Sequence, residues 1–153
     1  MKQFFLFVIL TGAGLFFSSS VHAEVVRELY TGGGVMVERT MRDGVQHGTT
    51  RWFYKSGAVQ LAEQWRNGLL EGEAKIYYEY GAVKAELQYR GGLLDGVSRT
   101  YFENGQVMEV VNYRQGKKED KTYAYDSSGT MRIEASLVND QLEGLSREFY
   151  DDG

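Results

Sequence analysis

The 153-residue chain contains no cysteine and no proline, and its only histidines are His22 and His47. Without cysteine it forms no disulfide, no thiolate metal site and no thiol nucleophile. With so few histidines, the common zinc sites and catalytic triads are not expected. The absence of proline beside 19 glycines favours strands joined by glycine turns over linkers or disorder.

An excess of basic residues is also missing. The chain carries 17 basic and 21 acidic side chains, which gives a formal net charge of −4. Nucleic-acid-binding proteins generally use a basic surface, so a nucleic acid is not an expected partner. The length suits one domain.

The first residues have the pattern of a secretory signal peptide. Lys2 gives a positive start, residues 4–17 are almost wholly apolar, and small residues stand at Val21 and Ala23. The pattern predicts a signal peptide over residues 1–23, cleaved after Ala23, and an exported protein that is periplasmic or secreted. A retained membrane anchor is the alternative, although this apolar run is short for a span of about 20 residues.

Residues 24–153 are a repeat with a period of 24 residues. The stretch RNGLLEGEAKIYYEYG at residues 66–81 returns as RGGLLDGVSRTYFENG at residues 90–105. In this register the glycines form three columns, interrupted by Asp120 and Asp140. The columns are Gly33, Gly57, Gly81, Gly105, Gly129 and Gly153; Gly44, Gly68, Gly92 and Gly116; and Gly48, Gly72, Gly96 and Gly144. We interpret these glycines as structural turn residues in about five units, of which the first and last are partial.

Each period holds two short segments rich in aromatic and branched residues, and each segment ends in Gly, Asn, Ser or Asp. Such segments are typical of β-strands, and Asn-Gly pairs are typical of tight hairpin turns. We therefore predict an all-β fold, a repeat array of antiparallel β-hairpins that forms an elongated, twisted meander sheet. Helices are disfavoured because the apolar spacing is nearer two than 3.6 residues and because glycine recurs often.

The length of the hairpin turns decides which side chains share a face of the sheet. If Asn104-Gly105 is a two-residue turn, Phe102 lies opposite Val107, and side chains at steps of two share that first face. The predicted first face, which we take as the core, collects Trp52, Tyr54, Val59, Leu61, Trp65, Ile76, Tyr78, Val83, Ala85, Leu87, Tyr89, Phe102, Val107, Val111, Tyr113, Met131, Ile133, Ala135 and Leu137. A three-residue loop or a bulge would exchange these assignments.

The second face carries an aromatic column with a cation two residues earlier in most units. Equivalent positions lie two strands apart, about 9.6 Å, and so form a row. The predicted recognition residues are Arg51, Phe53, Lys75, Tyr77, Arg99, Tyr101, Tyr125, Arg147 and Phe149. Arg and Tyr are favoured at protein interfaces, so a protein is the expected partner and an extended glycan the second choice. The same row could instead stabilise the sheet through stacking and cation–π contacts of about 0.5–1 kcal/mol.

The recurring YY-E-x-G, the NGLLEG link and the period of 24 resemble the MORN-repeat variant of bacterial proteins of the YwqK antitoxin-like type. The resemblance covers about residues 24–153 and implies stacked β-hairpins with a non-catalytic binding or scaffolding role. Three departures fall in the fourth unit, where Asp120 replaces a glycine, Asp126 replaces the second aromatic residue, and GKKED replaces GLLEG. We expect this unit to fit the stack least well.

The link segments carry an acidic column that raises the question of a metal site. The column is Glu71, Asp95, Glu119 and Glu143. One carboxylate per unit is sparse for a calcium ion, which takes six to eight oxygens. We expect these residues to give solubility and to pair with Arg66, Arg90 and Arg114. His47 holds the equivalent position in an earlier unit and is interpreted as a turn residue.

No carboxylate pair stands out as a hydrolase pair, so we predict no enzyme, no metal site and no cofactor. Two further functions stay open. The MORN name suggests lipid association, which the net negative charge disfavours even though a basic stripe could act locally. Alternatively, the protein is purely structural and copies self-associate through an open edge strand around residues 147–150.

Overall fold

The computed structural model describes residues 22–150, and every regular element in this range is a β-strand. The strands are β1 Ala23–Leu29, β2 Val35–Arg42, β3 Val45–Phe53, β4 Val59–Arg66, β5 Leu69–Leu70, β6 Gly72–Tyr77, β7 Val83–Arg90, β8 Leu93–Leu94, β9 Gly96–Tyr101, β10 Val107–Arg114, β11 Lys117–Lys118, β12 Asp120–Tyr125, β13 Met131–Val138, β14 Gln141–Leu142 and β15 Arg147–Glu148. Apart from its last two residues, the predicted signal peptide lies outside the described range, as does Gly153. Between residues 22 and 150 no helix has the length and apolar character needed to cross a membrane.

All fifteen strands belong to one antiparallel sheet whose main path follows the order of the chain. The short strands β5, β8 and β11 fold back on β4, β7 and β10, and both β14 and β15 pair with β13. The path does not return to β1, so the sheet is open, and no second layer covers it within the described residues. The predicted all-β meander of antiparallel hairpins is confirmed.

Two kinds of turn alternate along the chain. In the first kind, the Phe102 N–H donates to the Gln106 carbonyl and the Gly105 N–H donates to the Phe102 carbonyl, each at 2.9 Å. These bonds close a three-residue loop, in which Gly105 takes a φ of 83°. The predicted two-residue turn at Asn104-Gly105 is therefore wrong. The Asn104 side chain instead accepts the Gln106 N–H at 3.0 Å.

The second kind of turn is the link between hairpins. Asn67 and Gly68 have φ values of 50° and 80°, and the flanking Arg66 and Leu69 are paired. A two-residue turn with positive φ at both positions is type I′, which Asn-Gly favours. The same link turn stands at residues 43–44, 91–92, 115–116 and 139–140. Here the Asn-Gly signal correctly predicts a tight turn.

The three-residue loops are followed by β-bulges, which change the face of some side chains. Val107 pairs with Tyr101 and Glu109 pairs with Thr100, so Met108 is the extra residue. Because paired residues lie on one face, Val107 joins Tyr101 on the second face. The same shift moves Val59, Val83 and Met131 to the second face, where the prediction had placed them on the first. Leu61, Ala85 and Ile133 keep the predicted first face.

The first face supplies a small core. Its buried residues are Val37, Thr50, Ala74, Ala85, Ser98, Val111 and Ala135. The larger first-face residues, such as Trp52 and Leu87, stay only half-buried. A single layer has only neighbouring side chains to cover its centre, which explains why small residues dominate the buried set.

The fourth unit continues the sheet despite its departures from the repeat pattern. Val110 of β10 pairs with Tyr123 of β12, which repeats the register of the earlier units. Asp120 takes a φ of 63°, a region that Asp tolerates better than most residues. Its Oδ2 also accepts a hydrogen bond from Asn112 Nδ2 at 2.8 Å. The replacement of glycine therefore leaves the backbone path intact.

Candidate interaction surface

One row of side chains crosses the second face from β1 to β15, and its neighbours are cross-strand partners. We call it the charge row: Arg27, Glu38, Arg51, Ala62, Lys75, Glu86, Arg99, Val110, Tyr123, Glu134 and Arg147. The structure thus places the four predicted cations in one row. It also places glutamates beside them, which the sequence analysis did not identify.

The glutamates of the charge row recur in every second hairpin unit. They stand at Glu38, Glu86 and Glu134, and the intervening positions are Ala62 and Val110. Aligning the sequence at twice the hairpin period would have revealed these acids. At the single hairpin period the three glutamates fall in one column with Ala62 and Val110, so the column does not show a consistent acidic character.

Glutamates form ion pairs with three of the four predicted cations, and Glu38 and Glu134 also pair with Arg27 and Lys121. Glu38 lies 3.6 Å from Arg51, Glu86 lies 2.9 Å from Lys75, and Glu134 lies 3.3 Å from Arg147. Hydrogen bonds to Glu86 and then to Glu73 raise the pKa of Lys75. The bond from Lys75, followed by one from Tyr101, lowers the pKa of Glu86. In the described part of the chain, the exposed Arg99 forms no ion pair within 4 Å.

A second row on this face, the aromatic row, alternates aromatic and aliphatic side chains. Its paired members are Phe53 with Val59, Tyr77 with Val83, Tyr101 with Val107, and Tyr125 with Met131, and Phe149 follows directly after β15. The paired residues are half-buried, and Phe149 is 41% exposed. Tyr101 donates its O–H to Glu86 at 2.8 Å, and burial is the largest cause of its raised pKa. The row is continuous across the sheet.

The cation–π contacts do not involve the predicted column. Among the described residues they join Arg39 to the Trp52 ring at 5.2 Å and Lys84 to the Tyr78 ring at 5.5 Å. The predicted stabilisation of the aromatic column by its preceding cations is therefore wrong. Three of those cations, Arg51, Lys75 and Arg147, form ion pairs with glutamates of the charge row instead.

An open depression of about 500 Å³ lies on the second face at Ala62. Its lining consists of Thr49, Arg51, Val59, Ala62, Gln64, Tyr77 and Gly81. The small Ala62 side chain leaves this space between Arg51 and Tyr77. Val110 holds the equivalent position two hairpin units later.

The second aromatic column, which the sequence assigned only to the core, also joins successive units. Tyr54 donates its O–H to the Tyr77 carbonyl at 2.7 Å, and Tyr78 donates to the Tyr101 carbonyl at 2.8 Å. Tyr30 makes the same bond to Phe53. Each acceptor lies 23 residues after its donor. Phe102 stands next in this column and has no O–H to donate.

In the fourth unit, Asp126 and Arg132 replace the tyrosine. Asp126 accepts the N–H groups of Ser128 and Thr130 at 2.9 and 3.1 Å, and Arg132 Nε at 2.6 Å. Arg132 Nη1 then donates to the Phe149 carbonyl at 3.4 Å, the acceptor that a tyrosine at position 126 would reach by the rule of the earlier units. The Ser128 hydroxyl is the main cause of the low pKa of Asp126. The contact between units is thus kept with a different donor.

The acidic column of the links stabilises the following link turn. Glu71 accepts the Gly91 N–H at 2.8 Å, and Asp95 accepts the Gln115 N–H at 3.2 Å. Glu119 accepts the N–H of Asn139 at 2.9 Å. His47 takes the same place through Nδ1, 3.4 Å from the Asn67 nitrogen. The constant spacing of 20 residues to the next turn was the sequence signal for this role.

The predicted pairing of the acidic column with arginines is found in two units. Arg90 lies 3.3 Å from Asp95, and Arg114 lies 3.6 Å from Glu119. Arg66 forms no ion pair within residues 22–150. In the same range no group of three or more His, Asp or Glu side chains is placed to hold a metal ion.

The turn glycines of all three columns lie where the backbone needs them. Every described member has positive φ. Gly96 combines two reasons against a side chain. Its φ is 116°, and a Cβ there would lie 3.2 Å from the Gln88 Cβ. These residues shape the sheet, and Gly81 also lines the depression between Arg51 and Tyr77.

Residues 70–90 and 94–115 match the family described as the MORN repeat variant. No curated protein matches the chain. The two matched segments contain β6–β7 and β9–β10, the hairpins with the regular glycine and tyrosine positions. The matches support a MORN-type repeat and, with it, a repeat-based binding or structural module. They concern the type of repeat and do not extend to an antitoxin.

Proposed function

We propose that the protein is a non-catalytic module that binds a protein partner on the second face of its sheet. The aromatic row carries this proposal, because it crosses the described units on a face that no other layer covers. Aromatic residues with neighbouring arginines are typical of the energetic centre of protein interfaces. The charge row beside it would form the polar rim.

The ion pairs of the charge row favour a protein over a polyanion. Glu38, Glu86 and Glu134 alternate with the cations, so the row presents both signs of charge. Mixed charges set the orientation and register of a partner more than they raise its affinity. A nucleic acid or an anionic lipid surface would meet carboxylates at regular intervals.

Photo-crosslinking tests the proposed face directly. Benzoylphenylalanine at Tyr77 or Tyr101, expressed in the source cells, should capture one common partner. Matched positions on the first face, Tyr89 and Tyr113, should not capture it. A partner captured equally from both faces, or from neither, would remove the second face as the binding site. Crosslinks between copies of this chain would favour a self-associating array instead.

The proposal includes export of the module. The apolar run at residues 4–17 and the small residues before Ala23 support a cleaved signal peptide. Intact-mass analysis of the protein from the envelope and medium fractions should give a chain that begins at Glu24. A chain retaining residues 1–23 in the membrane fraction would favour the anchored alternative.

The resemblance to YwqK-type proteins supports an antitoxin-like role within this function. If the crosslinked partner inhibits growth when expressed alone, co-expression of the wild-type protein should restore growth. The Tyr77→Ala, Tyr101→Ala variant should restore it less. Restoration by neither protein would leave the binding module in place and remove the antitoxin role.

A further inference from the structure

A third set of side chains lies on the second face, at the edge formed by the link turns. We call it the link strip: Arg42, Val45, Arg66, Leu69, Arg90, Leu93 and Arg114. In three successive links, an arginine before the turn pairs with an aliphatic residue after it. At the fourth link, Lys117 takes the aliphatic position opposite Arg114.

The aliphatic members of the link strip form a ridge that is open to solvent. Val45, Leu69 and Leu93 are 45%, 53% and 51% exposed. Leu69 Cδ2 lies 3.6 Å from the Cβ position of Gly92, and Leu93 Cδ2 lies 3.6 Å from that of Gly116. Each side chain therefore rests on the next link turn, and the three exposed groups follow one another along the edge. Regularly spaced apolar exposure of this kind marks an interaction site.

The link strip itself holds four arginines and no acidic residue, in a chain of net charge −4. Within residues 22–150, Arg42 and Arg66 have no ion-pair partner. The side chains of Arg90 and Arg114 are 76% and 66% exposed, although Arg90 pairs with Asp95 and Arg114 pairs with Glu119 and, at 4.0 Å, with Asp120. Asp95 and Glu119 already accept the N–H groups of the following link turns. The arginines therefore retain N–H groups that can donate to the carboxylates of a binding partner.

We propose that the link strip binds an acidic polypeptide segment in a polyproline II conformation, with an aliphatic side chain at every third residue. Equivalent links lie about 9.6 Å apart, two strand spacings. A polyproline II chain presents every third side chain on one side at about 9.3 Å. A β-strand repeats a face at about 6.8 Å and a helix repeats one after seven residues at about 10.5 Å, so both fit less well.

Charge complementarity is the reason for proposing that the bound segment is acidic. The arginines alternate with Val45, Leu69 and Leu93, so a segment seated on the ridge brings its intervening side chains to the guanidinium groups. Arginine binds carboxylates through two parallel hydrogen bonds, which position as well as attract them. This surface is separate from the aromatic row and does not depend on it.

Designed peptides test the link strip. Fluorescent (Leu-Pro-Glu)5 keeps the polyproline II conformation and the three-residue spacing, and fluorescence anisotropy measures its binding to the purified protein. We expect binding that weakens as salt is raised. (Leu-Pro-Lys)5 and (Ser-Pro-Glu)5, which lack the acid and the aliphatic group, should each bind at least about tenfold more weakly, a loss of about 1.4 kcal/mol.

Variants of the protein identify the surface. The pairs Arg66→Gln with Arg90→Gln, and Leu69→Ser with Leu93→Ser, should each weaken binding about tenfold or more. Arg51→Gln with Arg99→Gln removes the same charge from the charge row and should leave the affinity within about twofold. Thermal unfolding checks that the variants are folded. Absence of (Leu-Pro-Glu)5 binding, or equal losses in the control, would overturn the proposal.

Vesicles separate this proposal from a lipid site. Liposomes with anionic phosphatidylglycerol contain charge and apolar surface but no three-residue spacing. One outcome is that the protein floats with these liposomes, loses flotation when Leu69 or Arg66 is substituted, and fails to bind the peptide. That combination would assign the strip to membranes and overturn the peptide site. Failure here leaves the crosslinks at Tyr77 and Tyr101 unaffected, because they probe a different row.

Discussion

The hairpin unit of β6 and β7 and the fourth unit, of β12 and β13, make the same contacts with different residues. In the β6–β7 unit, Gly72 takes the positive φ at the start of the hairpin, and Tyr78 donates to the carbonyl of the next unit. In the fourth, Asp120 takes that backbone conformation, and Arg132 held by Asp126 makes that bond. The acceptor is a main-chain carbonyl in both cases, so its own side chain is free to vary. What repeats is the position of the contact and not the residue that makes it.

The largest expected effect is at the glycine that starts β9. Gly96→Ala should cost about 1–3 kcal/mol in the free energy of unfolding, because φ of 116° and the Gln88 contact both exclude a Cβ. Denaturant unfolding measures it. Asp120→Ala is the matched change in the fourth unit, where φ is 63° and a side chain is already present, and should cost less than half as much. Equal costs would mean that the two units do not differ in backbone strain.

Asp126→Ala should give the next largest loss. It removes the acceptor for two N–H groups of the turn and releases Arg132 from its position beside the Phe149 carbonyl. We expect the melting temperature to fall by roughly 5 °C. Arg132→Gln is the companion variant, since it keeps the turn but removes the bond between units. An unchanged melting temperature for both would show that the fourth unit does not need a substitute for tyrosine.

A tyrosine at position 102 should strengthen the contact between the third and fourth units. Phe102→Tyr places an O–H 23 residues before the Tyr125 carbonyl, the spacing of the three existing bonds. One such hydrogen bond contributes about 1 kcal/mol to the free energy of unfolding. Tyr78→Phe is the reverse change and should lose a similar amount. Loss of stability on adding the hydroxyl would contradict the shared geometry.

The smallest effect concerns pH. Hydrogen bonds, first of all from Ser128, hold the pKa of Asp126 well below its ordinary value of 3.8. Its stabilisation is therefore complete above the unfolded pKa and is lost as pH falls through the lower folded value. The stability difference between wild type and Asp126→Asn should be constant near neutral pH and shrink below about pH 3.8. A difference that grows in acid would reverse the assigned sign.

The fold was predictable from the sequence because glycine columns and the 24-residue period specify turns and strands together. The two Asn-Gly pairs show where this reasoning fails. Asn67-Gly68 forms the predicted two-residue turn, whereas Asn104-Gly105 lies in a three-residue loop. The dipeptide is identical, and the bond from the Gln106 N–H to the Asn104 side chain belongs to the loop alone. Local sequence therefore left the faces of four residues wrong.

The candidate site was predictable in its position more than in its chemistry. Strand parity places Arg51, Lys75 and Arg99 in one row, and the cross-strand registers agree. Their acidic neighbours Glu38 and Glu86 recur only in every second unit, so alignment at the single hairpin period cannot separate them from Ala62. Which cations of the row are paired with an acid thus depends on contacts between units. An alignment of single repeats does not show these contacts.

The 23-residue reach of the tyrosine bonds ties each hairpin only to its immediate neighbour. Such a chain behaves as a one-dimensional lattice, whose stability is close to a sum over units and the joints between them. It should fray from its ends and open locally, with amide hydrogen exchange slowest in the central strands. Lengthening or shortening the array then changes how much surface is displayed without altering the rules that hold any one unit in place.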